Sequence, residues 1–188
     1  LYREFLHLRR LRAAGACLYY LQDLKRSELS HITQLDLLNL CDYMTLDPST
    51  LRNLELVRPL NADDVSSTLC SVLDFSITAM GGRLLREWIS HPLISVSRIT
   101  KRQNAVSELA ESPILLSELK SALFSILDME RLMGRIGSGR ANARDLAGMG
   151  RSLVQASQVS AVLANANSLA LQELAQTLSL AAGHGESI

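Results

Sequence analysis

Residues 128–146 contain two helix patterns joined by a glycine-rich turn, and this arrangement constrains the fold more than any other stretch of the sequence. Apolar residues before the turn fall at i, i+3, i+4 and i+7, the spacing of one helix face. They are Met129, Leu132, Met133 and Ile136. Gly137 and Gly139 stop this helix, because glycine adopts the left-handed conformation without steric cost. Asn142 then caps the next helix, with Asp145 at its third position, so the stretch predicts a helical hairpin.

The composition favours packed helices over sheets. Hydrophobic residues make up 47% of the 188-residue chain, so it can bury a core, whereas aromatic residues make up 4%. Leucine and alanine supply most of the apolar residues and favour helices, while strands prefer aromatic and β-branched residues. We therefore predict an all-α fold, a multi-helix core domain with at most one or two short strands.

Cap residues and prolines predict where several helices begin. Asp47-Pro48 and Ser112-Pro113 each place a capping side chain before a proline, which suits the first helical position. Further helices are predicted at about residues 2–24, 66–73 and 78–89, then from residue 95 or 97, from residue 143 and from Ser168. Residues 43–46 are the best strand candidate. The residues predicted to face inward include Leu84, Leu85, Trp88, Val106, Met133, Leu146, Leu171 and Leu174.

The chain reads as one domain over residues 1–182 followed by a soft tail over residues 183–188. It begins inside a helical pattern without an initiator methionine, which is typical of a piece of a larger protein. Lysine plus arginine and aspartate plus glutamate both number 19, and a free-standing nucleic-acid binder usually carries a basic excess. Any role with DNA is therefore expected to be indirect or shared with segments outside this chain. No apolar run approaches the length of a membrane span, so we expect no membrane partner.

Four stretches together resemble the core domain of the MutS family of DNA mismatch-repair proteins, in both order and spacing. They are Ala13–Leu21, Leu46–Leu56, Leu69–Leu93 and the hairpin at 128–146. The chain departs from the family at Leu24-Lys25, where Thr-Gln is usual, and at Ala143, where a proline is usual. Neither departure lies on a known chemical site, although Ala143 loosens the expected start of its helix.

The resemblance implies a mainly helical domain within a larger bacterial, cytoplasmic and nucleoid-associated protein. In the family, this domain connects the mismatch-recognition and connector regions to the lever, clamp and ATPase regions. The whole protein is a homodimer that encircles mismatched duplex DNA, uses ATP and magnesium, and recruits a MutL-like partner. The resemblance therefore implies that the partners of this chain are other domains of the same protein.

The residues that carry those activities in the family have no counterpart in this chain. Gly137-Ser138-Gly139-Arg140 lacks the Lys-Ser/Thr pair that follows in a phosphate-binding loop. The family's mispair wedge, Phe-X-Glu, is absent, since no phenylalanine has a glutamate two residues later. The histidines do not share metal-ligand spacing, and no base is placed beside Cys17 or Cys70. We therefore expect no enzyme activity, cofactor or metal in this chain.

Charged residues near the caps and the hairpin are the candidate interdomain or structural residues. They are Asp47, Arg52, Glu55, Arg83, Asp128, Glu130, Arg131, Arg135, Arg144 and Asp145. The hairpin members could relay ion pairs to a neighbouring domain, or could form a solvated charged face with helix caps; both interpretations stay open. For Asp47 a cap is the simpler interpretation, with Arg52 and Glu55 as local partners or surface residues.

The leading hypothesis is a non-catalytic scaffold that transmits conformational change within a mismatch-repair ATPase. Such coupling needs packed elements with discrete arrangements rather than a chemical centre. One alternative keeps the family and assigns the chain to a MutS relative that acts in recombination. Another is an unrelated helical module that binds DNA or protein.

Overall fold

The chain is mainly helical in the computed structural model, which describes residues 2–25, 42–61 and 65–183. The helices are α1 (Tyr2–Lys25), α2 (Pro48–Asn53), α3 (Leu69–Leu73), α4 (Ala79–Ser90), α5 (Val96–Glu111), α6 (Pro113–Phe124), α7 (Met129–Gly137), α8 (Ala143–Leu163) and α9 (Leu169–Gly183). The all-α prediction is confirmed. The predicted strand at 43–46 is wrong, because within the described ranges Tyr43 forms an isolated antiparallel bridge with Leu93 and no strand extends from it.

Backbone contacts divide the chain into two compact units, Leu1–Leu38 and Asn39–Ile188. The first unit contains α1, which spans the range predicted for the first helix. The second unit contains α2 to α9. Most of the predicted soft tail, residues 184–188, lies outside the described residues.

Side-chain caps set the start of several helices in the second unit. Asp47 accepts hydrogen bonds from the Ser49 and Thr50 amides, each at 2.9 Å, and Pro48 follows in the first turn of α2. Thr78 accepts one from the Gly81 amide at 3.1 Å and begins α4. Each bond satisfies an amide that has no partner within its helix.

The residue before α6 departs from its prediction. Ser112 precedes Pro113 as predicted, but its side chain makes no capping hydrogen bond. This serine is also the last residue of the turn that ends α5, where its amide donates to the Glu108 carbonyl at 3.1 Å. The proline therefore marks the start of α6 without a side-chain cap.

Helices α5, α6, α8 and α9 form the hydrophobic core, with α7 packed on α8. The buried core residues are Ala122, Val159, Leu163, Ala166, Leu171 and Ala175. Small residues recur every four positions on α8, at Gly148, Ser152, Ala156 and Ser160, and form one line along the helix. Their size lets neighbouring helices approach, and the Ser160 hydroxyl donates to the Ala175 carbonyl at 2.7 Å. We call residues 96–180 the helical body.

Residues 42–61 and 65–94, which we call the α2–α4 segment, are joined internally by backbone hydrogen bonds. The amides of Leu69 and Cys70 donate to the carbonyls of Glu55 and Leu56 at 3.1 and 2.9 Å. Close approach also occurs at the start of α4, where a Cβ on Gly82 would lie 3.2 Å from an Asp74 carboxylate oxygen. This carboxylate gives a reason for Gly82, and a Cβ on the adjacent Gly81 would lie 3.1 Å from the Thr78 hydroxyl oxygen.

Several predicted inward positions are wrong. The exposed ones are Leu84, Trp88, Val106, Met133, Leu146 and Leu174. In α9, for example, Leu171 and Ala175 are buried and Leu178 packs against the core, whereas Leu174, at the edge of the same face, is 52% exposed. Across the described residues, no helix combines the length and apolar character needed to cross a membrane.

Candidate functional site

Four of the candidate charged residues meet where α4 approaches the start of α7. Asp128 caps α7, because its carboxylate accepts from the Arg131 amide at 3.3 Å. Arg83 reaches across from α4 and donates from Nη1 and Nη2 to the two Asp128 oxygens, at 2.8 and 2.6 Å. Its Nε also donates to Glu130 at 2.9 Å. We call Arg83, Asp128, Glu130 and Arg131 the Arg83 cluster.

The Arg83 cluster is partly shielded from solvent at its centre. The side chain of Asp128 is 19% exposed and that of Arg83 is 35% exposed, whereas Arg131 is 76% exposed. A guanidinium that donates two parallel bonds fixes both the distance and the orientation of its carboxylate partner. These hydrogen bonds from Arg83 lower the pKa of Asp128 and, in turn, Asp128 and Glu130 raise the pKa of Arg83. The central pair therefore stays ionised well below neutral pH.

A second ion pair lies at the other end of α7. Arg135 Nη1 donates to Asp145 Oδ1 at 3.0 Å. Asp145 is buried and completes a capping box with Asn142, in which each residue's amide donates to the other's side chain, at 2.9 and 3.2 Å. The predicted cap is confirmed, and so is the glycine stop, since Gly139 has a φ of +67° just after the helix.

Charged groups thus tie both ends of α7 to neighbouring elements. The α7 N-terminus is joined to α4 through Arg83, and its last turn is joined to the start of α8 through Arg135. In addition, a Cβ on Gly148 of α8 would lie 3.0 Å from Leu127 Cδ1, so glycine permits this close packing. The orientation of α7 relative to α4 and α8 is consequently set by a small number of named contacts.

Two arginines of α5, neither of them among the predicted site residues, also reach the α2–α4 segment. Arg98 Nη1 donates to Asp42 at 3.0 Å, and its guanidinium carbon lies 5.7 Å from the centroid of the Tyr43 ring. The guanidinium carbon of Arg102 lies 3.7 Å from the centroid of the Trp88 ring. Burial lowers the pKa of Arg102, and the charge of Arg98 adds to this effect. No spacing in the sequence points to either contact.

Glu108 and Ser152 are two further residues that were not among the predicted site residues. Glu108 on α5 accepts from the backbone amide of Ser168 at 2.7 Å and from that of Asn167, which lowers its pKa and holds the loop before α9. Ser152 is fully buried; its hydroxyl accepts from the Leu127 amide at 3.1 Å and donates to the Gly148 carbonyl at 2.9 Å. The line of small residues on α8 was a signal for Ser152, whereas Glu108 left none.

The remaining candidate residues serve their own local segments. Asp47 caps α2, and the hydrogen bonds from Ser49 and Thr50 lower its pKa. Arg52 lies exposed in the last turn of α2, and Arg144 lies exposed in the first turn of α8. Glu55 has a φ of +47°, and its carboxylate accepts from the Leu60 amide at 2.6 Å. That these residues contact neighbouring domains stays a prediction.

The charged residues of this region can fix the positions of helices relative to one another. Bidentate and capped carboxylates hold α4, α7 and α8 in one relative arrangement. Within the ranges that the structure describes, no group of three or more histidine, cysteine, aspartate or glutamate side chains could hold a metal ion. The Arg83 cluster supplies ion pairs between α4 and the start of α7.

Comparisons with known proteins agree with the resemblance found in the sequence. The sequence model of the family described as MutS domain III matches residues 49–186. The chain is 41% identical over 168 residues to the DNA mismatch repair protein MutS of Symbiobacterium thermophilum, a match that covers 89% of this chain and 19% of that protein. It is 42% identical over 167 residues to the protein of that name from Pelotomaculum thermopropionicum, covering 88% of this chain and 19% of the relative. The corresponding identity is 43% over 166 residues for Thermosynechococcus vestitus, again with 88% and 19% covered.

Proposed function

The chain belongs to the MutS domain III family, and on that premise we propose that it is the non-catalytic core domain of a DNA mismatch-repair ATPase. The observation that carries this proposal is the family match over residues 49–186, supported by identities near 40% to proteins named for mismatch repair. The chain spans about a fifth of the length of these relatives. The reaction and the recognition of mispairs are accordingly proposed for the whole protein.

Within that protein, we assign to this chain the transmission of conformational change. It would connect the mismatch-recognition and connector regions to the lever, clamp and ATPase regions. A group of helices with a packed core can move as one rigid body, and ion pairs between helices can form in one arrangement and be absent in another. Transmission then consists of a change in helix orientation that both ends of the protein can bias.

Exposed apolar side chains support the idea that other domains cover this one. Among the most exposed large residues are Phe75 at 86%, Phe124 at 83% and Val96 at 76%. Large apolar groups in water are unfavourable, and clusters of them commonly mark surfaces that contact other proteins or domains. We propose that other domains of the same protein cover these side chains.

The whole protein would use ATP and magnesium held by its ATPase region. Its proposed partners are mismatched duplex DNA, a second copy of the whole protein and a MutL-like protein. We propose the bacterial cytoplasm, near the nucleoid, as its location, since the relatives are bacterial proteins.

The proposed function is tested with the purified chain in two assays. We expect no ATP hydrolysis, and weak binding to duplex DNA that disappears at moderate salt, since the chain carries 19 basic and 19 acidic residues. ATP hydrolysis that follows the chain through successive purification steps would contradict the proposal. Binding that persists at moderate salt and selects one DNA structure would instead favour an independent DNA-binding module.

A further inference from the structure

The main cluster of buried apolar residues lies in one part of the second unit. Its buried residues, and the half-buried residues packed on them, all lie in the helical body between Ala105 and Leu178. In contrast, α4 contains no buried residue, and its Leu84 and Trp88 are 47% and 40% exposed. α4 therefore contributes no buried residue to the core of the helical body.

Three arginines make the described side-chain links between the α2–α4 segment and the helical body. Arg83 extends from α4 to Asp128 and Glu130 at the start of α7. The other two arginines lie on α5 in the body. Arg98 contacts Asp42 and Tyr43, and Arg102 contacts the Trp88 ring. All three links end in a guanidinium group, and they are distributed along α4 and the adjoining chain.

The α2–α4 segment also has its own internal bonds. Backbone hydrogen bonds join Met44 to Pro92 and Ile94 to Asp42, at 2.7 and 3.2 Å, and the amides of Leu69 and Cys70 bond to the turn after α2. Cys70 is buried at 4% exposure within this segment. These bonds stay intact if the three arginine contacts break, so the segment can move as a unit.

We propose that the α2–α4 segment is a releasable layer, which separates from the helical body when the Arg83, Arg98 and Arg102 contacts break while the body stays folded. Proteins open locally in units with few buried apolar contacts, at a lower free energy than global unfolding. A neighbouring group that competes for Arg83 or Asp128 shifts the layer toward its released form. The proposal deepens the proposed function, on which it rests for its biological purpose, by naming the part that moves.

Hydrogen–deuterium exchange measured by mass spectrometry on the isolated chain tests the releasable layer. We compare the parent chain with Arg83→Gln and with Arg86→Gln, a matched control on the same helix. Arg86 is exposed and its charge acts on Asp74, which belongs to the same segment. Peptides from α4 report the layer, and peptides from the second half of α8 report the body.

We expect Arg83→Gln to accelerate exchange in α4 by about tenfold or more, since charge-assisted hydrogen bonds are lost. Exchange in α8 should stay unchanged, and Arg86→Gln should behave like the parent. Arg102→Gln, which removes a different link, should accelerate α4 exchange in the same way and serves if Arg83→Gln does not fold.

Equal acceleration of α4 and α8 would overturn the proposal, because the two parts would then open as one unit. Unchanged α4 exchange in both Arg83→Gln and Arg102→Gln would overturn it as well. The measurement needs neither nucleotide nor DNA. A negative exchange result therefore contradicts the releasable layer but not the proposed function. ATP hydrolysis by the chain would contradict the proposed function but not the releasable layer.

Discussion

The helical body and the α2–α4 segment are held in place by different forces. The body buries apolar residues such as Leu163 and Leu171 between four helices. The segment joins the body through guanidinium groups on a surface that buries no residue of α4. Apolar burial does not depend on the charge state of any group, whereas ion pairs do. The difference implies that one region supplies rigidity and the other supplies contacts that can be exchanged.

The largest effect on the free energy of unfolding is expected from a substitution that leaves a cavity in the helical body. Leu163 is 3% exposed, and Leu163→Ala should lower the free energy of unfolding by about 2–5 kcal/mol, through lost burial and an unfilled cavity. Val154→Ala on the same helix is the control, because Val154 is 61% exposed and should change stability by about 0.5 kcal/mol or less. Urea denaturation followed by circular dichroism measures both. If the two variants lose similar amounts of unfolding free energy, the body does not have a distinct core.

A smaller loss is expected from the buried hydroxyl of Ser152. Ser152→Ala removes the acceptor of the Leu127 amide and should cost about 1–3 kcal/mol, since a buried donor is left unpaired. Ser157→Ala is the matched control on α8, where the exposed hydroxyl bonds within the helix to the Val154 carbonyl at 2.8 Å. The same denaturation experiment compares them. If Ser157→Ala lowers the free energy of unfolding as much as Ser152→Ala does, burial of the Ser152 hydroxyl is not the cause of the loss.

The caps of α4 and α5 offer a comparison across the boundary of the two regions. Thr78→Ala should destabilise the α2–α4 segment by about 1 kcal/mol, because its hydroxyl accepts from the Gly81 amide. Ser95 occupies the equivalent position before α5 without a capping bond, so Ser95→Ala should have little effect. Local hydrogen exchange in α4 is the appropriate measurement. Faster exchange throughout α8 in Thr78→Ala would show that the segment does not open separately.

The smallest effect on global unfolding at neutral pH is expected from Asp128→Asn, because the substituted side chain still offers one oxygen to Arg83 and Glu130 keeps its own bonds to that arginine. In the parent chain, the pKa of Asp128 is lowered in the folded state. Its carboxylate therefore stabilises the fold at pH values above the ordinary aspartate pKa of about 4, and this stabilisation disappears as the pH falls below that value. The stability difference between the parent chain and Asp128→Asn should therefore shrink from about pH 4 downward. Glu118→Gln, at an exposed position on α6, is the control. A difference that stays constant with pH would contradict the assignment of the lowered pKa to this contact.

Much of the helical architecture could be predicted because local chemistry determines it. Asp47 and Asn142 cap helices as predicted, and Thr78 caps α4 where a helix was predicted to begin. Gly139 ends the hairpin's first helix with a positive φ. Each of these effects acts within one turn of the chain. The sequence alone was sufficient for them.

The partners of the charged residues could not be predicted, because they depend on how distant helices pack. Arg83 and Asp128 are 45 residues apart, and Glu108 reaches a loop about 60 residues later. The exposure of Trp88 and Leu174 was missed for a related reason: helical spacing identifies an apolar face but does not say what covers it. The sequence also predicts mostly loop over residues 31–46, and residues 31–41 of that range lie outside the described residues.

The central claim, that this chain transmits change through the Arg83 cluster, is tested most directly in the whole protein that contains it. The measurement is the effect of a mismatched duplex on the rate of ATP hydrolysis, compared between Arg83→Gln and Arg86→Gln. We predict that Arg83→Gln weakens the response to the mismatch, while hydrolysis without DNA and binding to the mismatch remain as in the parent. An equal response to the mismatch in both variants and in the parent would contradict the claim.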